Sequence, residues 1–350
     1  MLQKQLHQVS KVITTVAANV MQSVHTLVRK SIAFSGIRAV ALMSLSLLVS
    51  SLLMAYGTPG ALAAQVQPQV QAKPPTDASF YMSSTDPVAA FNLGCNQGRA
   101  DATASPVANS EVILDFGGQV NTASTKLVNG QVVTNAQIVA AVESFGIAYF
   151  TCTGTDTTSF VTLGIGTNNS LDVSYAEGQV WANVVAAVKQ DLQDGGFNSQ
   201  VAAVGANDIE PGFGGAAAAI SWAQGYASVG SFYLNYGSAD GCPQASSDNS
   251  ILCNNGWHQS DIWYVSWGSP PAESTPEIYF PAQARQWAMI SLYGAQSQGG
   301  AVIMQGPLDE FPLDNATLTA DQSWTALWTD LNNNPATAQS MTYSLEIHRQ

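Results

Sequence analysis

The chain has 350 residues, with 24 Asp and Glu against 11 Lys and Arg, a net charge of −13 and a pI near 4.4. That balance excludes a protein that tracks phosphates, which needs a basic face. A hydrophobic content of 46% with 8 Trp, 11 Tyr and 12 Phe excludes a disordered acidic tail, and one long apolar run is too few for a multi-span membrane protein.

The charge is divided along the chain. Five of the eleven basic residues lie in the first 38 positions, and the first acid is Asp77. Arg29, Lys30 and Arg38 precede an uncharged run over 39–56, which Gly57, Pro59 and Gly60 break. Ala61-Leu62-Ala63 then sets small residues where a signal peptidase reads. Residues 1–64 are therefore expected to be a signal peptide with a long basic n-region, starting at Met1 or Met21 and cleaved near Ala63 or Ala64. The alternative is a membrane anchor through 39–56, since about 18 apolar residues just span a bilayer. The rest holds 6 basic against 24 acidic residues, a net of −18, which suits a soluble secreted body.

Cys95, Cys152, Cys242 and Cys253 all lie in the exported part, and an even count there suggests disulfides. Cys242 and Cys253 flank a polar loop and are the easiest pair to close, which leaves Cys95 with Cys152. No CxxC occurs and only His258 and His348 follow the leader, so neither zinc nor any other metal is expected.

Residues 65–110 read as a Gln- and Pro-rich linker and an irregular segment, and 111–350 as the folded domain. Strands are predicted at 112–114, 147–152, 160–165, 201–204, 232–234, 262–267, 277–280 and 301–304, with an edge strand at 343–347. Helices are predicted at 134–144, 175–193, 215–227, 282–293 and 319–331, the second carrying Val180, Val184, Val188 and Leu192 on one face. Eight continuous apolar runs with helices or long loops between most of them suggest an α/β fold, a (β/α)8 TIM-like barrel. A doubly wound open sheet is the runner-up; no G-x-G-x-x-G follows a strand, so no dinucleotide or other cofactor is expected.

In such barrels the chemistry sits at the C-terminal strand ends. Those ends offer Asp115, Asp208, Glu210, Asp309 and Glu310, with Trp267 and Tyr279 nearby. Asp208-Ile209-Glu210 is the sharpest element, because side chains repeat every two residues along a strand and two close carboxylates oppose each other's ionisation. The competing reading is a loop whose acids cap the following helix. For Asp115 it is a turn before Gly117-Gly118, and for Asp309 and Glu310 a solvated loop. Gln119, Tyr236, Trp257 and Trp267 border the presumed active face as candidate ligand contacts. Trp222, Trp263, Trp287, Trp324 and Trp328 are expected to pack.

The LDFGGQ and NDIE segments resemble the D-x-S-x-x-Q and D-x-E motifs of secreted lysozyme-like barrels, the glycoside hydrolase family 25 muramidases. The resemblance covers about 111–310 and departs at Gly117, where a Ser is usual. It implies Glu210 as general acid, Asp115 and Asp208 as supporting carboxylates, and a cell-wall or environmental polysaccharide as partner. The same aromatics would serve a non-catalytic carbohydrate- or wall-binding barrel. A serine or metal hydrolase lacks G-x-S-x-G, H-E-x-x-H and enough histidines.

Overall fold

A computed structural model describes residues 71–350, apart from 105–106, 172, 231, 270–271 and 314. The expected signal peptide, its cleavage site and the run 39–56 lie outside the described residues. The strands are β1 (Asp77–Tyr81), β2 (Asn109–Asn121), β3 (Ser124–Lys126), β4 (Val132–Thr134), β5 (Phe160–Asn168), β6 (Val201–Asp208), β7 (Tyr233–Asn235), β8 (Ala272–Ser274), β9 (Leu308–Asp309) and β10 (Leu345–Arg349). The helices are α1 (Pro87–Thr103), α2 (Asn135–Cys152), α3 (Tyr175–Asp194), α4 (Ala216–Ser228), α5 (Gln259–Trp263), α6 (Pro281–Ser297) and α7 (Ala320–Asn332).

The sheet runs β8-β7-β6-β5-β2-β1-β10-β9 with every neighbour parallel, and β3 and β4 extend β2 as an antiparallel flap. It is curled. Ile113 of β2, Ala206 of β6, Leu234 of β7, Leu308 of β9 and Ile347 of β10 meet in one buried cluster, which a flat sheet would hold apart. The curl is a half-barrel, open between β8 and β9 except for two isolated parallel bridges, Ser274–Met304 and Glu277–Leu308.

Alternation along β2 shows why its sequence reads as it does. Val112, Leu114 and Phe116 face outward into the larger core under the helices, while Glu111, Ile113 and Asp115 face the inside of the curl. A strand buried on both faces needs no polar alternation, hence the unbroken apolar run.

Four predicted strands are absent or reduced. Residues 147–152 continue α2, whose Ile138, Ala141, Val142, Phe145 and Tyr149 recur at helical spacing behind a Thr134–Gln137 capping box. Residues 262–267 are α5 and a π-helical turn, Tyr264–Gly268. Residues 277–280 and 301–304 keep only the two bridges. The segment 343–347 becomes β10, flanked by β1 and β9 and so not an edge.

The irregular segment expected before residue 111 instead carries β1 and α1, and one compact unit covers Pro68–Gln350. α1 escapes a periodicity reading because its buried face is Ala90, Gly94, Cys95, Gly98 and Asp101, with no large apolar stripe. Small residues are needed there. A Cβ on Gly94 would lie 2.1 Å from the Phe145 carbonyl oxygen, and one on Gly98 2.5 Å from that of Tyr149. β1 is short and polar because its side chains accept β2 amides, Asp77 Oδ2 from Glu111 at 3.0 Å and Ser79 Oγ from Ile113 at 2.9 Å.

Both expected disulfides form, Cys95–Cys152 and Cys242–Cys253. The first joins α1 to α2 rather than to a second strand. It closes 57 residues, for which loop entropy gives about 4 kcal/mol. The double variant Cys95→Ala/Cys152→Ala is expected to lose that much in chemical denaturation; an unchanged midpoint would mean that helix packing alone holds the pair. Two disulfides fit an oxidising compartment. Among the described residues no helix is long and apolar enough to cross a membrane.

Candidate active site

Five acids converge on one cavity of about 560 Å³ at the C-terminal strand ends: Asp115, Asp208, Glu210, Glu277 and Glu310. Tyr81, Phe213, Tyr279 and Arg349 share its wall. Parallel register assembles it. Tyr81 pairs with Asp115, Asp115 with Gly166, and Asn168 with Asp208, so residues far apart in sequence end level with one another.

Asp115 is held from two sides. Its Oδ1 accepts the Gly117 amide at 2.6 Å, and the Tyr236 hydroxyl lies against it while bonding the Thr167 carbonyl at 3.0 Å. Gly166 makes room for this: a Cβ there would lie 2.8 Å from Tyr236 Oη and 2.9 Å from Asp115 Cα. Burial raises the Asp115 carboxyl to about 6, against the pull of both hydrogen bonds.

Glu210 stands two residues beyond Asp208, past the end of β6, and Asn169 fixes its backbone there. Asn169 Oδ1 accepts the Glu210 amide at 3.0 Å, and Asn169 Nδ2 donates to its carbonyl at 3.2 Å. Oxygens of Asp208, Glu210 and Glu277 lie within 4.8 Å of one another. Burial raises all three carboxyls, and mutual repulsion raises Asp208 and Glu277 further. Glu210 is eased down by a hydrogen bond with Glu277, which that same bond pushes up. Two carboxyls this close oppose each other's ionisation, which favours a single proton held by the pair. Glu310 accepts the Tyr81 hydroxyl at 3.0 Å.

Of the residues singled out from sequence, the structure brings Asp115, Asp208, Glu210, Tyr279 and Glu310 to the cavity and sets Tyr236 behind Asp115. Four others lie away from it. Gln119 is buried between helices, its Oε1 accepting Trp222 Nε1 at 2.8 Å and its Nε2 donating to the Glu177 carbonyl at 3.1 Å. Trp257 is buried and donates to the Gly214 carbonyl at 2.6 Å, bracing the segment after Glu210 instead of touching a ligand. Trp267 packs on the outer core because the strand expected at 262–267 is helical. Asp309 faces away from the cavity, where the Phe311 amide and Ser323 hydroxyl, each at 3.2 Å, donate to it.

Sequence reasoning missed Glu277, Tyr81 and Phe213. Glu277 had a readable signal, since it precedes Tyr279 by two residues in an extended run and so shares its side. Tyr81 was hidden by the unrecognised β1. Phe213, 42% exposed at the cavity wall, sits on a loop held by Trp257 and by Asn255 Nδ2, which donates to the Pro211 carbonyl at 2.7 Å. Where no metal site was expected, Asp208, Glu210 and Glu277 form an all-oxygen set whose spacing fits a hard divalent cation.

No protein-family model matches this chain, and no curated protein matches it in sequence.

Proposed function

We propose that the chain is an exported glycoside hydrolase that cleaves a polysaccharide with a pair of carboxyl groups. The observation that carries this is the Glu210–Glu277 pair, two close carboxyls, both raised by burial, that line a cavity with aromatic walls. Glycoside hydrolysis needs that complement: an acid to protonate the leaving oxygen and a carboxylate to meet the developing positive charge. The resemblance to lysozyme-like barrels implied Glu210 as the acid. Burial and repulsion from Glu210 and Asp208 raise the Glu277 carboxyl well above its usual range, which favours Glu277 as acid and Glu210 as the carboxylate facing the anomeric carbon. Carboxyl oxygens within 4.8 Å favour retention of configuration over inversion, which leaves about 6.5–9.5 Å for a water. NMR of the first-formed anomer checks this.

We read the half-barrel as a (β/α)8 barrel whose closure is carried by the Ser274–Met304 and Glu277–Leu308 bridges. Export rests on the basic leader, the A-L-A segment and the disulfides. The charge of the body argues against nucleic-acid partners.

The test is a panel of cell-wall and environmental glycans assayed for new reducing ends. Cleavage by the parent protein and its loss in Glu210→Gln support the enzyme. Glycan binding without cleavage supports the non-catalytic barrel instead. Phe213→Ala is expected to raise KM about tenfold with little change in kcat, since a ring at the wall offers stacking and no proton. A fall confined to kcat would place Phe213 elsewhere in the mechanism.

A further inference from the structure

Glu210 follows β6 and Glu277 follows β8, yet their carboxyl oxygens stand within 4.8 Å of each other. β7 lies between those two strands, and its last residue is Asn235. Asn235 is fully buried, and its side chain points to the outer core, because Leu234 and Tyr236 face the inside of the curl. Its Oδ1 accepts two amides, Ile209 at 3.3 Å and Gly237 at 3.2 Å. Its Nδ2 donates to Ser266 Oγ at 2.8 Å, in the π-helical turn, which fixes the direction of the side-chain amide. The Gly237 carbonyl in turn accepts the Glu277 amide at 3.3 Å. The Asn235 carbonyl accepts the Thr275 amide at 2.9 Å and the Ser274 hydroxyl at 3.2 Å, two and three residues before Glu277. One side chain therefore reaches the residue before Glu210 on one side and, through Gly237, the amide of Glu277 on the other. Gly237 lets the two strand exits close up, since a Cβ there would lie 2.4 Å from the Ile209 carbonyl oxygen. None of these bonds involves a carboxyl group. Asn169 holds Glu210 from the β5 side without reference to Glu277, whereas Asn235 refers one acid to the other.

We propose that Asn235 is the positioning residue that sets the separation of the Glu210 and Glu277 carboxyls, acting through the Ile209 and Gly237 amides. Its effect on a rate rests on the hydrolase reading above; its effect on the geometry does not. The experiment compares crystal structures of the parent protein, Asn235→Ala and Asn235→Asp, with kinetics on any glycan the parent cleaves. Asn235→Ala leaves two buried amides without their acceptor, and the carboxyls are expected to move apart by about 1 Å. That displacement is expected to lower kcat about 10²-fold with KM within about twofold, because the glycan-binding walls stay in place. Asn235→Asp still accepts both amides and is expected to keep the parent separation. A folded Asn235→Ala with the parent separation overturns the proposal, as does an Asn235→Asp in which the carboxyls part equally. Failure of both variants to fold overturns it too, by making Asn235 a residue of the fold alone. Cleavage by the parent with unmoved carboxyls in Asn235→Ala sinks this proposal and leaves the hydrolase reading standing. Carboxyls that part in Asn235→Ala and stay in Asn235→Asp, in a parent that cleaves no glycan, do the reverse.

Discussion

Glu277→Gln is expected to lower kcat on a cleaved glycan by about 10³-fold, within the range for removing a positioned general acid. Fold should survive. Glu277 is buried and its carboxyl is raised well above the usual range, so a neutral amide of the same shape suits the same place and keeps a donor toward Glu210. At pH 8 the variant should even gain thermal stability, because the parent must keep a proton there or bury a second charge. Glu210→Gln should lose activity to a similar degree, and the double variant should lose little more, since the two act as one unit. Circular dichroism with initial rates on one glycan separates the outcomes. Native-like melting with undiminished kcat would remove Glu277 from the mechanism and return the acid's role to another carboxyl of the cavity.

Stability is expected to be greatest in mild acid and to fall as pH rises from about 4 to 8. Burial raises Asp115 and Asp309 to about 6, Asp77 to about 7 and Glu111 to about 8. Each therefore binds its proton more tightly folded than unfolded. Such a group favours folding fully below its unfolded value near 4, and that advantage drains away up to the folded value. Glu111 is the extreme case. It lies wholly inside the curl, and its carboxyl accepts the Thr275 hydroxyl at 2.9 Å, while Asp77 and Glu273 repel its charge. One unit of displacement is worth about 1.4 kcal/mol. The four together predict a melting temperature about 10 °C or more lower at pH 8 than at pH 5. Glu111→Gln should flatten the curve, because an amide can accept from Thr275 without ionising. A melting temperature independent of pH, or one that rises toward pH 8, would contradict the burial of these acids.

These two results meet in one property. Buried acids stand along the inward face of β2, Glu111 beside Asp77 at one end and Asp115 at the cavity, with Ile113 between them. The carboxyl cluster thus sits in a fold that is strongest where carboxyls keep their protons.

The two disulfides were legible because four cysteines leave few pairings once the shortest loop is closed. Asp208 and Glu210 were legible together because strand periodicity sets both on one side, and Asp115 because it ends a strand of unbroken apolar residues. Trp257 and Trp267 were misplaced for one reason: an aromatic beside a loop looks the same whether it braces the loop or faces a ligand. Residues 147–152 misled because a short apolar run fits either a buried strand or the last turns of a helix.

By itself the sequence determined the parallel α/β character, the disulfides and the acids Asp115 of β2 and Asp208 at the end of β6. Those follow from local periodicity and from chemistry carried by single residues. Only the tertiary structure decided that Glu277 stands against Glu210, that Gly166 leaves space for Tyr236 to reach Asp115, and that β1 and β10 lie side by side inside the sheet. The reason is range. Periodicity speaks for about a dozen neighbouring residues, whereas the pairing of Glu210 with Glu277 depends on the register of parallel strands that meet only once the sheet has curled.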